Sequence, residues 1–145
     1  MLKDLNKAIN KYFKNIIKSF DFVLYEDYSG GMGAYKKYKN NFLKIYILDD
    51  RGDIGLYISA IYGKEDFWDT ELINSLITLE NTSSEVISKG DREKILNNNL
   101  NLKEQANLIK DNWPLLVKLY DENNFRFTIK DLKKLGLERS RLIFR

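Results

Sequence analysis

Apolar residues recur at three- and four-residue steps along the start of the chain: Leu2, Leu5, Ile9, Tyr12, Phe13, Ile16 and Ile17. That period places them on one stripe of a helix. Lys7, Lys11, Lys14 and Lys18 recur at the same steps on the other side, where they form either a solvated face or a basic stripe for an anionic partner. From residue 20 to residue 62 the period falls to two. Phe20 to Tyr25 and Ala34 to Tyr38 read as strands parted by a glycine-rich turn, Ser29-Gly30-Gly31-Met32-Gly33. Phe42 to Leu48 and Ile54 to Ile61 are the strongest strands, joined by Asp49-Asp50-Arg51-Gly52-Asp53, with Gly52 where a tight hairpin needs a positive φ. Such short connections predict an antiparallel meander of about four strands.

Side-chain parity within the meander separates two faces. Leu43, Ile45 and Ile47 share one side of their strand, as do Ile54, Leu56, Ile58 and Ala60 of the next. These aliphatic sets belong on a core covered by helices. The opposite side carries Lys44, Tyr46, Tyr57 and Ser59, with Tyr35 or Tyr38 joining according to register. Tyrosine combines contact area with a polar tip, a composition suited either to a partner surface or to a core edge under a later helix.

After Gly63 the helical period returns. Asp66 is positioned to cap a helix through Trp68, Leu72, Ile73, Leu76 and Ile77, with Asp69 and Glu71 near its positive end. Residues 80 to 91 read as a polar connection with at most a short helix. Leu102 to Tyr120 is helical again, with a kink or a junction near Asn112 set by Pro114. A last helix opens at Thr128 and is expected to end near Gly136, and Leu142, Ile143 and Phe144 offer a docking strip in the basic tail. The expected architecture is one α+β domain over residues 1–145. It has an N-terminal amphipathic helix, a meander, and C-terminal helices packed on one sheet face.

Composition narrows the chemistry. The 145 residues include no histidine and no cysteine. Disulfides, thiolate nucleophiles, zinc sites built on Cys or His, and imidazole bases are therefore excluded. An enzyme would have to run on carboxylates, Lys, Tyr or Ser. Asp49, Asp50 and Asp53 share one hairpin and offer oxygen ligands, but their spacing does not match a calcium loop. Glu85-Val86-Ile87-Ser88-Lys89 has the wrong spacing for a metal-dependent nuclease, and the turn at 29–33 lacks the Gly-Lys-Ser/Thr ending of a phosphate loop. The reading is non-catalytic, with no cofactor and no metal. A metal- or carboxylate-dependent enzyme acting on nucleotide or sugar stands as the alternative.

The net charge of +3 is mild and comes from 18 Lys and 6 Arg against 21 acids. Its distribution matters more. Residues 49 to 71 hold seven acids against Arg51 and Lys64, a local −5, whereas residues 1 to 48 carry +5 and residues 72 to 145 carry +3. An acidic patch on a basic protein orients association with a basic partner. A nucleic-acid adaptor built on the Lys7–Lys18 stripe is a third reading, disfavoured because the basic excess is not concentrated. No apolar run is long enough to cross a membrane, and charges interrupt the N-terminal segment, so a cytoplasmic location is expected.

The run from Phe42 through Asp49-Asp50-Arg51-Gly52-Asp53 to Ile58, followed by Trp68-Asp69, is a hydrophobic strand, Asp-Arg-Gly, a second strand, and a Trp and acid opening a helix. This pattern resembles small bacterial proteins of the immunity type that accompany polymorphic or contact-dependent toxins. The stretch from Gln105 to Trp113 is similar to the helix that follows in such proteins. The resemblance implies a tight protein–protein inhibitor of a cognate toxin domain, and it carries no catalytic residues over. The candidate contact residues are Tyr46, Tyr57, Asp49, Asp50, Arg51 and Asp53. The partner expected is a basic toxin domain, with a homodimer as a further possibility.

Overall fold

A computed structural model describes residues 2–82 and 87–143. The chain opens with α1 (Leu2–Ala8), a π-helical turn (Ile9–Phe13) and α2 (Lys14–Ser19), one after another. The wider π turn keeps Ile9 and Phe13, four residues apart, both buried. Lys7, Lys11, Lys14 and Lys18 are all exposed.

The sheet follows as β1 (Val23–Gly30), β2 (Gly33–Lys39), β3 (Leu43–Asp50), β4 (Asp53–Ala60) and β5 (Trp68–Asp69). The strands lie in that order and every neighbouring pair is antiparallel. The meander thus has five strands where about four were expected. Two residues are too few to show a period, so β5 merges in the sequence with the helix it precedes. The strong strands pair as parity required: Leu43 with Ala60, Ile45 with Ile58, Ile47 with Leu56 and, on the other face, Tyr46 with Tyr57. The turn between them is a two-residue hairpin with positive φ at both Arg51 (55°) and Gly52 (94°). That geometry matches the twist of the flanking strands. Gly33 meets β3 so closely that a Cβ there would lie 2.7 Å from the Asp49 carbonyl oxygen.

The remaining chain is helical: α3 (Thr70–Asn81), α4 (Lys89–Leu96), α5 (Leu102–Asp111), α6 (Trp113–Leu119) and α7 (Phe125–Ile143). The cap of α3 is Asp69, whose carboxylate accepts the Leu72 N–H at 2.8 Å, and not Asp66. The extra strand uses Trp68 and Asp69 and delays the helix by three residues. The expected polar connection at 80–91 falls partly at 83–86, outside the described residues, and by Lys89 the chain has entered α4. Pro114 sits in the first turn of α6, where its missing N–H costs nothing. The final helix begins earlier than Thr128 and runs straight through Gly136. That glycine does not end the helix but admits the Trp68 ring, since a Cβ there would lie 3.2 Å from Trp68 Cζ3. Leu142 packs against the core and Ile143 is exposed, while Phe144 lies outside the described residues.

All of these helices serve one face of the sheet. Leu5, Phe13 and Ile16 of the N-terminal helix and Leu72, Ile73, Ile109 and Leu116 of the later ones join the Leu43/Ile45/Ile47/Leu56/Ile58 face in one buried cluster. Burying each such side chain stabilises the fold by roughly 1.5–3 kcal/mol. Among the described residues no helix is long and apolar enough to cross a membrane.

Candidate functional site

The face away from the helices is an aromatic ladder. Tyr28 stacks on Tyr35 (ring centroids 5.6 Å apart), Tyr35 meets Tyr46 edge-on (5.1 Å), and Tyr46 touches both Tyr57 (5.7 Å) and Phe67 (5.2 Å). Tyr28–Tyr35 and Tyr46–Tyr57 are directly opposed across their strands, and Tyr35–Tyr46 is a diagonal contact. Such pairs are the units that stabilise a sheet face. Tyr28 is 56% exposed; the others are half-buried.

The charges on this face are satisfied by one another. Lys37 Nζ lies 5.4–5.5 Å from the ring centroids of Tyr35, Tyr46 and Phe67 and ion-pairs with Glu26 (3.2 Å) and Glu65 (3.4 Å). Glu65 also accepts from Lys44 (3.3 Å) and from the Tyr25 hydroxyl (2.5 Å), while the Tyr35 hydroxyl donates to Glu26 (2.7 Å). The bond from Tyr25 holds the Glu65 carboxyl below its ordinary range against the opposing effect of burial, with Lys37 and Lys44 adding to it. Burial, then the neighbouring Glu65, pushes the Tyr25 hydroxyl far up. Burial likewise raises the hydroxyls of Tyr46 and Tyr57. Each stays protonated at neutral pH, able to donate and to accept. No periodicity singles out Tyr25, which enters this cluster through a β-bulge between Leu24 and Glu26. Phe67 and Glu65 come from the connection after β4, read there only as the approach to a helix.

The hairpin end divides the predicted acids. Asp50, Arg51 and Asp53 are exposed at the β3–β4 tip, at the same end of the sheet as exposed Met32. Asp49 is 1% exposed, and its carboxylate accepts the Gly52 N–H at 2.7 Å. It fixes the turn and is not presented to a partner. Glu65 is consumed by the lysines. Asp69 takes a two-pronged bond from Arg139 of α7 (2.8 Å on each oxygen) besides capping α3. The acidic segment is therefore less acidic as a surface than its sequence implies. Of this segment's acids, Asp50, Asp53, Asp66 and Glu71, besides the inward-turned Asp49, have no cation in ion-pair range among the described residues.

Beside the tip, a cleft of about 720 Å³ opens along β4, lined among others by Asp53, Tyr57, Asp69, Glu71, Lys103 and Gln105. Burial raises the Glu71 carboxyl above its ordinary range. Burial also acts to raise Asp69, but Arg139 and the Leu72 N–H outweigh it and hold that carboxyl low. Two carboxyls pushed apart resemble an acid–base pair, yet both oxygens of Asp69 are already occupied. Among the described residues no group of three His, Cys, Asp or Glu side chains is arranged to hold a metal ion. The structure thus brings Tyr46 and Tyr57 together, places Asp50, Arg51 and Asp53 at the adjoining tip, and removes Asp49. Compared with protein-family models, curated proteins and solved structures, the chain matches none.

Proposed function

We propose that this protein acts by binding a protein partner on the open sheet face and hairpin tip, and that it belongs to the immunity class, neutralising a cognate bacterial toxin domain in the cytoplasm. The observation that carries the reading is the tyrosine ladder from Tyr28 to Tyr57, on the sheet face opposite the helix-packed aliphatic core. Rigid aromatic side chains with polar tips give contact area at small entropic cost, and their charged neighbours are pre-paired. The unpaired Asp50 and Asp53 at one end supply a field for a basic partner.

The test uses the product of the adjacent gene. If that gene encodes a large toxin with a variable C-terminal domain, co-expression of this chain should relieve its growth inhibition. The double variant Tyr46→Ala/Tyr57→Ala should bind the toxin domain at least about 100-fold more weakly, as expected of two central aromatic contacts. Asp50→Lys/Asp53→Lys should slow association about ten-fold and flatten its salt dependence, with little change in dissociation. Undiminished protection by the tyrosine variant would overturn the reading, and unchanged association kinetics would remove the acids from it.

A further inference from the structure

The cleft beside β4 contains an interrupted sheet edge. β5 pairs with β4 only at Tyr57 and Ile58, after which the chain turns into α3 at Thr70. β4 continues back to Asp53 with no strand across from Asp53, Ile54 and Gly55 among the described residues. At Leu56 a side chain substitutes for the missing strand: Gln105 Oε1 accepts the Leu56 N–H at 2.8 Å, while Gln105 Nε2 donates to the Leu100 carbonyl at 2.9 Å. Strand alternation then directs the N–H and C=O of Ile54 to the same edge, toward the cleft. An edge with unpaired backbone groups is a template for an added strand.

We propose that this cleft receives an extended, cationic segment of the protein partner, which adds to the sheet beside Asp53–Gly55 and sets a Lys or Arg side chain between Asp53 and Glu71. The proposal rests on the partner-binding reading and names the chemistry of the partner. Three observations favour this occupant. The cleft's 720 Å³ suits a short stretch of chain. Asp53 and Glu71 have no cation within ion-pair distance among the described residues, Arg139 reaching Glu71 only through its field, and the lining's own Lys103 is exposed and pairs with neither acid. Tyr57 and Asp53 belong both to the cleft and to the open face or its tip, so a partner seated on the ladder reaches the edge without a gap. A second copy of this chain fits less well: its own free edge, β1, carries Glu26 and Asp27 and would bring acids to acids. In strand addition, main-chain hydrogen bonds supply affinity and alternate side chains supply specificity.

The test is a titration of the isotope-labelled full chain with an eight-residue peptide alternating Lys and Thr, followed by amide NMR. The expected result is shifts at Ile54, Gly55 and the Gln105 side-chain amide, with exchange of the Ile54 N–H slowed about ten-fold at saturation. Glu71→Gln and Asp53→Asn should each weaken the peptide about three-fold or more. Shifts centred elsewhere, or none at millimolar peptide, would overturn the proposal. So would equal binding of a peptide with Glu in place of Lys, or of a Lys-Thr peptide methylated on alternate backbone nitrogens. Failure here while Tyr46→Ala/Tyr57→Ala still abolishes toxin binding discards the added strand alone. Loss of the ladder's role with the peptide result intact discards the larger reading.

Discussion

The two faces of this sheet are built from the same register yet solve different problems. Ile45 opposite Ile58 and Ile47 opposite Leu56 have no polar atoms to satisfy, and helices seal them completely. Tyr46 opposite Tyr57, one residue out of phase, carries hydroxyls and lies among Lys37, Lys44, Glu26 and Glu65, which pair with one another. One face gains stability by excluding water. The other keeps its polar groups occupied so that little has to be reorganised when something docks, which is where preorganised surfaces gain affinity.

The comparison is broken most sharply by truncation. Ile45→Ala removes a fully buried side chain and should cost about 2–5 kcal/mol in denaturant unfolding. Tyr46→Ala, on the half-buried face, should cost about 1–2 kcal/mol while retaining the fold. Equal losses would mean that the tyrosine face is as much a core as the aliphatic one, and the docking role would lose its physical basis.

How far the sequence foretold these faces follows from the range of each signal. Strict alternation in 43–48 and 54–61 fixed parity, and parity alone assigned Ile45, Ile47, Leu56 and Ile58 to the core and Tyr46 and Tyr57 to the opposite side. The hairpin at Arg51-Gly52 was legible because a two-residue turn demands positive φ. Asp49 was misplaced by the same parity rule left unapplied: it continues the Leu43/Ile45/Ile47 series, so it turns inward to the Gly52 N–H. The Glu65 cluster joins residues 21 to 40 positions apart through a bulge, and no local pattern encodes that. Gly136 misled because a glycine needed for close packing looks like one that ends a helix.

Acid should act on the tyrosine face through Glu65. A carboxyl whose folded pKa is lowered contributes stability above its unfolded value, near 4.3, and loses it as pH falls through the folded one. Stability should therefore decline on acidification below about pH 5. Glu65→Gln should cost about 1 kcal/mol at pH 7, discounted for partial exposure, and the difference from the parent should shrink as the pH falls through the folded value of that carboxyl. Asp69, also held low, supports the same decline from the cleft, whereas Glu71 is raised and opposes it slightly. Parallel curves for parent and Glu65→Gln would show that Lys37 and Lys44 do not depend on that carboxylate.

The smallest effect concerns a tyrosine in the wrong company. Tyr120 of the segment after α6 is fully buried, and its hydroxyl has no hydrogen-bond partner among the described residues. Burial raises its pKa, with Asp66 adding to the shift, so it stays protonated. On the open face the Tyr25 and Tyr35 hydroxyls donate hydrogen bonds to carboxylates; the Tyr120 hydroxyl has no such acceptor among the described residues. A buried unsatisfied hydroxyl costs roughly 1–3 kcal/mol, and removing it without changing ring shape recovers part of that. Tyr120→Phe should thus leave stability unchanged or raise it by up to about 1 kcal/mol, a gain of about 2–6 °C in Tm. Tyr35→Phe, which takes the hydroxyl donor from Glu26 and leaves it Lys37 alone, should shift Tm slightly the other way. If Tyr120→Phe instead destabilises by more than about 1 kcal/mol, that hydroxyl is held by a buried water, and the helix-backed side is less purely apolar than its contrast with the ladder requires.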